Sequence, residues 1–158
     1  MDRLGVSVAA DLQLAKTVLR EREAPFVLVR GGSIVAMGSG HGVLPLVRTL
    51  ERLDPARLRG AALADKLIGR AAALAAVFAG LGAVHGEFMS RAAVDELTRH
   101  GVPFTYGVQI PAVLNRSGSH LCPFEELVAS AETPEEAVRL LREAARVRGE
   151  REPDPQTP

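Results

Sequence analysis

Gly60-Ala61-Ala62-Leu63-Ala64-Asp65-Lys66-Leu67-Ile68-Gly69-Arg70-Ala71-Ala72-Ala73 is the stretch on which the fold turns. It runs on through apolar residues to Ala79, and alanine is the strongest helix former. The composition predicts one long helix over residues 61–79, stopped by Gly80-Leu81-Gly82 and apolar on most sides, hence buried. Asp65 and Lys66 then fall early in that helix. Adjacent helix positions point about 100° apart, so the two side chains can border one cavity without facing the same way. A partly buried lysine there can act as a base or hold an anion. The competing reading is an acid favoured by the helix dipole beside a surface lysine.

Before this stretch, Leu12, Ala15, Val18 and Leu19 recur at helical spacing and predict an amphipathic helix over residues 6–23. Phe26-Val27-Leu28-Val29-Arg30, Gly31-Gly32 and Ser33-Ile34-Val35-Ala36-Met37 read as strand, turn and return strand. A Gly-rich loop, Gly38-Ser39-Gly40-His41-Gly42, leads to a short helix over 44–53 that Asp54-Pro55 closes. After the stretch come a strand over 83–89, a helix capped by Ser90 and running to about His100, and a short strand around Phe104-Thr105-Tyr106. Residues 108–114 have no clear preference. A helix over 123–130 and a final amphipathic helix from Thr133-Pro134-Glu135-Glu136 complete the domain. Alternating helices and short strands predict a three-layer α/β/α sandwich, a single domain over 1–147, with a disordered Glu/Pro/Asp-rich tail over 148–158.

Several function classes are disfavoured by composition. The 158 residues carry 19 Lys+Arg and 19 Asp+Glu, so a general nucleic-acid binder, which needs excess basic charge, is not expected. One cysteine makes no internal disulfide, and no apolar run approaches the ~20 residues of a bilayer span, so a soluble, cytoplasmic protein is expected. CxxC, HxE and HExxH are absent, as are a Walker loop and Gly-x-Ser-x-Gly. Neither a metal nor a cofactor is expected.

That one cysteine, Cys122, lies in Asn115-Arg116-Ser117-Gly118-Ser119-His120-Leu121-Cys122-Pro123-Phe124-Glu125-Glu126, a polar loop running into a helix. Exposed N–H groups and the dipole at a helix start favour a thiolate, the nucleophilic form. The alternative is a small buried hydrophobe beside a proline, the usual station of a free cysteine. Arg116 can pair a phosphate or carboxylate, or be a solvated loop residue. His120 can serve as a base to the thiol if the segment is extended. The Gly-rich loop offers Gly42 as a backbone contact to a ligand, with His41 as an exposed bystander.

Three segments resemble the DUF1893 family: residues 60–73 with Ala64-Asp65-Lys66 and Gly69-Arg70-Ala71-Ala72-Ala73, then Ile110-Pro111-Ala112-Val113-Leu114-Asn115-Arg116, then Leu121-Cys122-Pro123-Phe124-Glu125. The hairpin and Gly42-Val43-Leu44-Pro45-Leu46 match as well, so the likeness spans residues 12–128. The resemblance implies a cytidine-deaminase-like fold, a mixed five-stranded sheet between helices. Zinc deaminases of that fold place His or Cys at the start of the long helix and PCxxC at the next one. Here Asp65-Lys66 and Met89-Ser90-Arg91-Ala92 stand in those places, so the fold carries over without a zinc site. Arg70 replaces the family's usual lysine.

The expectation is therefore a small-ligand site lined by Asp65, Lys66, Asn115, Arg116, His120, Gly42 and Cys122, the ligand nucleotide-like by analogy of fold alone. If the protein is an enzyme, Cys122 does metal-independent covalent chemistry, Lys66 stabilises its thiolate, and Asp65 or His120 moves protons. The alternative is a non-catalytic ligand-sensing or protein-interaction module. Homodimerisation is compatible with such a fold.

Overall fold

The computed structural model describes residues 2–151, with side chains described from 8 to 149. In chain order the elements are α1 (Asp2–Arg22), β1 (Phe26–Arg30), β2 (Ser33–Met37), α2 (Leu44–Arg52), α3 (Pro55–Leu58), β3 (Ala62–Ile68), α4 (Arg70–Ala79), β4 (Ala83–Ser90), α5 (Arg91–Arg99), β5 (Phe104–Ile110), α6 (Pro123–Val128) and α7 (Pro134–Arg151). The strands form one sheet in the order β2-β1-β3-β4-β5. β1 runs antiparallel to β2 and to β3, while β3, β4 and β5 run parallel.

The expected long helix over 61–79 is two elements. Its first half is the central strand β3, and only the second half is helical. Buried parallel strands read as continuous apolar runs, so period-2 alternation is missing from the sequence. Ala61, Ala62, Leu63 and Ala64 are all fully buried, because α1 covers one face of the sheet and α4 the other. Alanine is a poor strand former, yet here it is buried between the two helical layers beside Leu63. Tertiary packing here overrides propensity. Gly69 breaks the run, and Gly80 (φ 75°) ends α4 in the left-handed conformation.

α1 lays Ala15, Val18 and Leu19 on Val27, Val29 and Ala64. Buried Asp11 pins this helix to the hairpin by accepting the Gly31 and Gly32 N–H groups, each at 2.8 Å. On the other face Leu28, Leu63 and Val84 meet Ala72, Ala73 and Ala76 of α4, with Leu97 of α5 and Leu46 of α2. α7 packs outside α4 through Ala137 and Leu141, which meet Ala71, Leu74 and Val128. The result is a mixed five-stranded sheet with helices on both faces.

The hairpin and the Ser90 cap stand where the sequence puts them; the Ser90 hydroxyl accepts the Ala93 N–H at 3.1 Å. Asp54-Pro55 opens the short helix α3, in addition to closing α2, with Asp54 capping Ala56 N–H at 2.9 Å. β5 continues to Ile110, which settles the first part of the stretch the sequence leaves open. α7 extends to Arg151, past the expected start of the tail; residues 152–158, where the rest of that tail falls, lie outside the described residues. Among the described residues no helix is long and apolar enough to cross a membrane.

Candidate functional site

Asp65 sits near the end of β3, between Phe26 of β1 and Gly86 of β4. It is a strand residue, so the argument from a helix start and its dipole does not apply to it. Its side chain borders a cavity of about 190 Å³ closed by the Gly-rich loop, the start of α4, Val113 and the start of α6. Phe26, Val43, Leu67, Val113 and Phe124 make the walls largely apolar. Protein atoms surround the carboxyl on nearly every side, although the residue keeps some solvent access. Burial pushes its pKa up to about 7, against the opposing pull of the Leu67 and Lys66 backbone N–H groups. Oδ1 accepts the Leu67 N–H at 2.9 Å. No ion pair neutralises it among the described residues.

Of the residues singled out in the sequence, Asp65, Lys66, Gly42 and Cys122 line this one cavity. Lys66 is exposed at its rim, and its Nζ donates to the Glu23 carbonyl at 3.3 Å, at the C-terminal end of α1. Glu23 has φ 52°, the left-handed turn that ends the helix. A cation there complements the helix dipole. Cys122 is the N-cap residue of the six-residue helix α6, but its thiol makes no capping hydrogen bond. Its backbone N–H donates to Val113 O at 2.9 Å, which holds the thiol at the cavity edge.

Asn115, Arg116 and His120 do not line the cavity. They belong to a loop closed by the Leu114–Leu121 bridge and by the Asn115 N–H to His120 O bond at 2.8 Å. The Asn115 side chain organises that loop: Oδ1 accepts the Ser119 N–H at 3.0 Å and the Ser117 hydroxyl at 3.1 Å. His120 Nδ1 pairs with Ser119 Oγ at 3.0 Å, and the ring is exposed. Arg116 is exposed with no side-chain bond to the described residues.

Sequence reasoning missed three features. Glu125, buried on α6, reaches the start of α4: Oε1 accepts the Arg70 N–H at 2.7 Å and Oε2 the Ala71 N–H at 2.8 Å. That carboxylate fills the seat a ligand anion would take at the helix N-terminus. Gly69 makes the approach possible, since a Cβ there would lie 2.5 Å from Glu125 Oε1 and 2.9 Å from Val113 Cγ2. Its signal was present as the glycine between the charged pair and the alanines. His41, set aside as a bystander, is exposed but lines the cavity.

His85 of β4 is buried outside the cavity, with Nδ1 at 2.7 Å from Thr105 Oγ1 and Nε2 without a hydrogen bond. Glu87 Oε2 lies 3.7 Å from Nε2. Burial, reinforced by the charges of Lys16 and Arg20 and opposed by Glu87, holds the imidazole below its ordinary pKa.

Among the described residues no three His, Cys, Asp or Glu side chains converge where they could hold a metal ion. The fold and the cavity together define a mixed α/β protein with a small pocket at the end of its central strand. The sequence model of a domain of unknown function, DUF1893, matches residues 14–145, and the chain belongs to that family. It is similar to the crystal structure of a DUF1893 family protein from Thermotoga maritima, at 28% identity and TM-score 0.77, over 84% of this chain and 88% of that one. No curated protein matches.

Proposed function

We propose that the protein binds a small molecule in the Asp65–Cys122 cavity, on a deaminase-like scaffold that works without zinc. The observation that carries this reading is an acid with its pKa raised to about 7, facing an apolar cavity that a thiol also borders. Clefts with apolar walls and a titratable group perturbed by desolvation are where ligands and chemistry concentrate. The mixed five-stranded sheet with helices on both faces supports the deaminase-like reading of the scaffold.

Near neutrality Asp65 is present in both protonation states, the condition for a general acid or base. Cys122 is the candidate nucleophile, and Asp65 the group in the cavity that would move its proton. His120 and Arg116 lie outside the cavity and have no part in this step. The second reading, a ligand-sensing module, is favoured by the missing cap bond at Cys122, whose thiol accepts no N–H from the first turn of α6.

Native mass spectrometry of the purified chain against a metabolite mixture tests the site. Binding is expected to vanish once Cys122 is carbamidomethylated, because the added group enters the cavity. Undiminished binding after that treatment would remove the cavity from consideration. Peptide mapping then separates the two readings. A covalent adduct on Cys122, with turnover lost in Cys122→Ser, marks an enzyme; unchanged binding by Cys122→Ser and no adduct mark a sensor.

A further inference from the structure

We propose that the cavity selects a small organic cation, an apolar body carrying a protonated nitrogen, over anionic or phosphorylated ligands. This rests on the ligand-site reading above and names the chemistry of its occupant. The cavity's groups account for the preference one by one. Asp65 presents a carboxyl with no ion-pair partner among the described residues, and its hydrogen bond from the Leu67 N–H uses Oδ1.

The positive features that would attract an anion are committed elsewhere. The N-terminus of α4 is occupied by the Glu125 carboxylate on the Arg70 and Ala71 N–H groups. The Arg70 guanidinium turns away to the Val128 and Ala131 carbonyls, the latter at 2.9 Å. Lys66 stands at the rim and gives a hydrogen bond to Glu23 O. Arg116, the expected phosphate partner, is outside. His41 from the Gly-rich loop is exposed at the rim and Cys122 from α6 borders the wall; with Lys66 and Glu125 they are the other titratable groups facing Asp65.

A carboxylate left alone in apolar surroundings is costly, so in the empty cavity Asp65 holds its proton to higher pH than an ordinary carboxyl, with both forms present near pH 7. An ammonium group bound beside it restores the charge-assisted pair and drives the proton off. Binding of a cation is thus coupled to release of a proton, and affinity weakens as Asp65 protonates. The volume of about 190 Å³ corresponds to roughly six waters, which suits a single ring with a short side chain.

The test uses benzylamine, benzyl alcohol and benzoate as probes, each with the full chain. Protection of Cys122 from iodoacetamide is the readout, compared with and without probe at about pH 6 and about pH 8, either side of the Asp65 titration. Benzylamine, protonated throughout that range, is expected to protect best. Its affinity is expected to be about tenfold weaker at the lower pH, as the ionised fraction of Asp65 falls. Asp65→Asn should abolish the preference for the amine while Cys122 remains alkylatable and the thermal transition remains cooperative. Protection by benzoate or benzyl alcohol equal to or better than benzylamine, or an amine preference that survives Asp65→Asn, overturns the cation assignment but leaves a ligand site. Protection by none of the three overturns both the assignment and the site.

Discussion

Asp65 costs the protein stability at neutral pH. Its carboxyl titrates near 7 in the fold and near 4 in an unfolded chain, so between those values the folded state binds more protons. Stability from this group is therefore full below about pH 4 and is lost as pH rises through about 7, with a limit of about 4 kcal/mol. Asp65→Asn keeps an oxygen for the Leu67 N–H and removes the titration. Relative to wild type, the variant should gain stability progressively from about pH 4 to about pH 8 in urea denaturation, and gain nothing at the acid end. An acid that weakens the fold without improving its packing points to use by a ligand. His85 carries the opposite sign. Its folded pKa lies below the ordinary value, so the unfolded chain takes up the proton first and stability falls as pH drops through about 6.5. An NMR titration of the ring should find its midpoint below the ordinary imidazole value of about 6.5.

At the scale of elements, the junction between β3 and α4 positions the whole site. Gly69 lets Glu125 come close enough to cap α4, and the two charge-assisted hydrogen bonds tie α6 to the end of the central strand. Glu125→Ala is expected to destabilise by about 3 kcal/mol, since it leaves two N–H groups unpaired at a buried helix start. Gly69→Ala should cost a similar amount, because its Cβ would displace the carboxylate. This junction was also the hardest part to read from sequence. The hairpin was legible because Gly31-Gly32 is local turn chemistry between strand-forming residues, and the Ser90 cap because capping is local too. β3 was not, since its strand state comes from burial on both faces and its alanines favour a helix when considered alone. The candidate site was legible in part for the same reason. Asp65 and Cys122 stand out as residues, whereas the Glu125 cap and the exclusion of Asn115 and His120 depend on how distant segments meet.

For the molecule as a whole, the cavity wall depends on α6, which stands between the sheet end and α7 with little helix of its own. Arg70 holds it from α4 by donating to the Val128 carbonyl, which also accepts the Ala131 N–H at 3.0 Å, and to the Ala131 carbonyl just beyond the helix. Arg70→Met retains the apolar stem and loses those bonds. Stability should fall by about 2–3 kcal/mol, and Cys122 should react faster with iodoacetamide as the α6 wall loosens. Unchanged reactivity would mean that α6 is held without Arg70. The chain belongs to the DUF1893 family, and the proposed ligand chemistry rests on the Asp65 carboxyl near the end of the central strand. The most direct measurement is a ¹³C-carboxyl NMR titration of Asp65, alone and with saturating benzylamine. The account predicts a midpoint near 7 in the free protein and a clear fall when the amine is bound. A midpoint near the ordinary value of about 4, or one that benzylamine does not move, would contradict it.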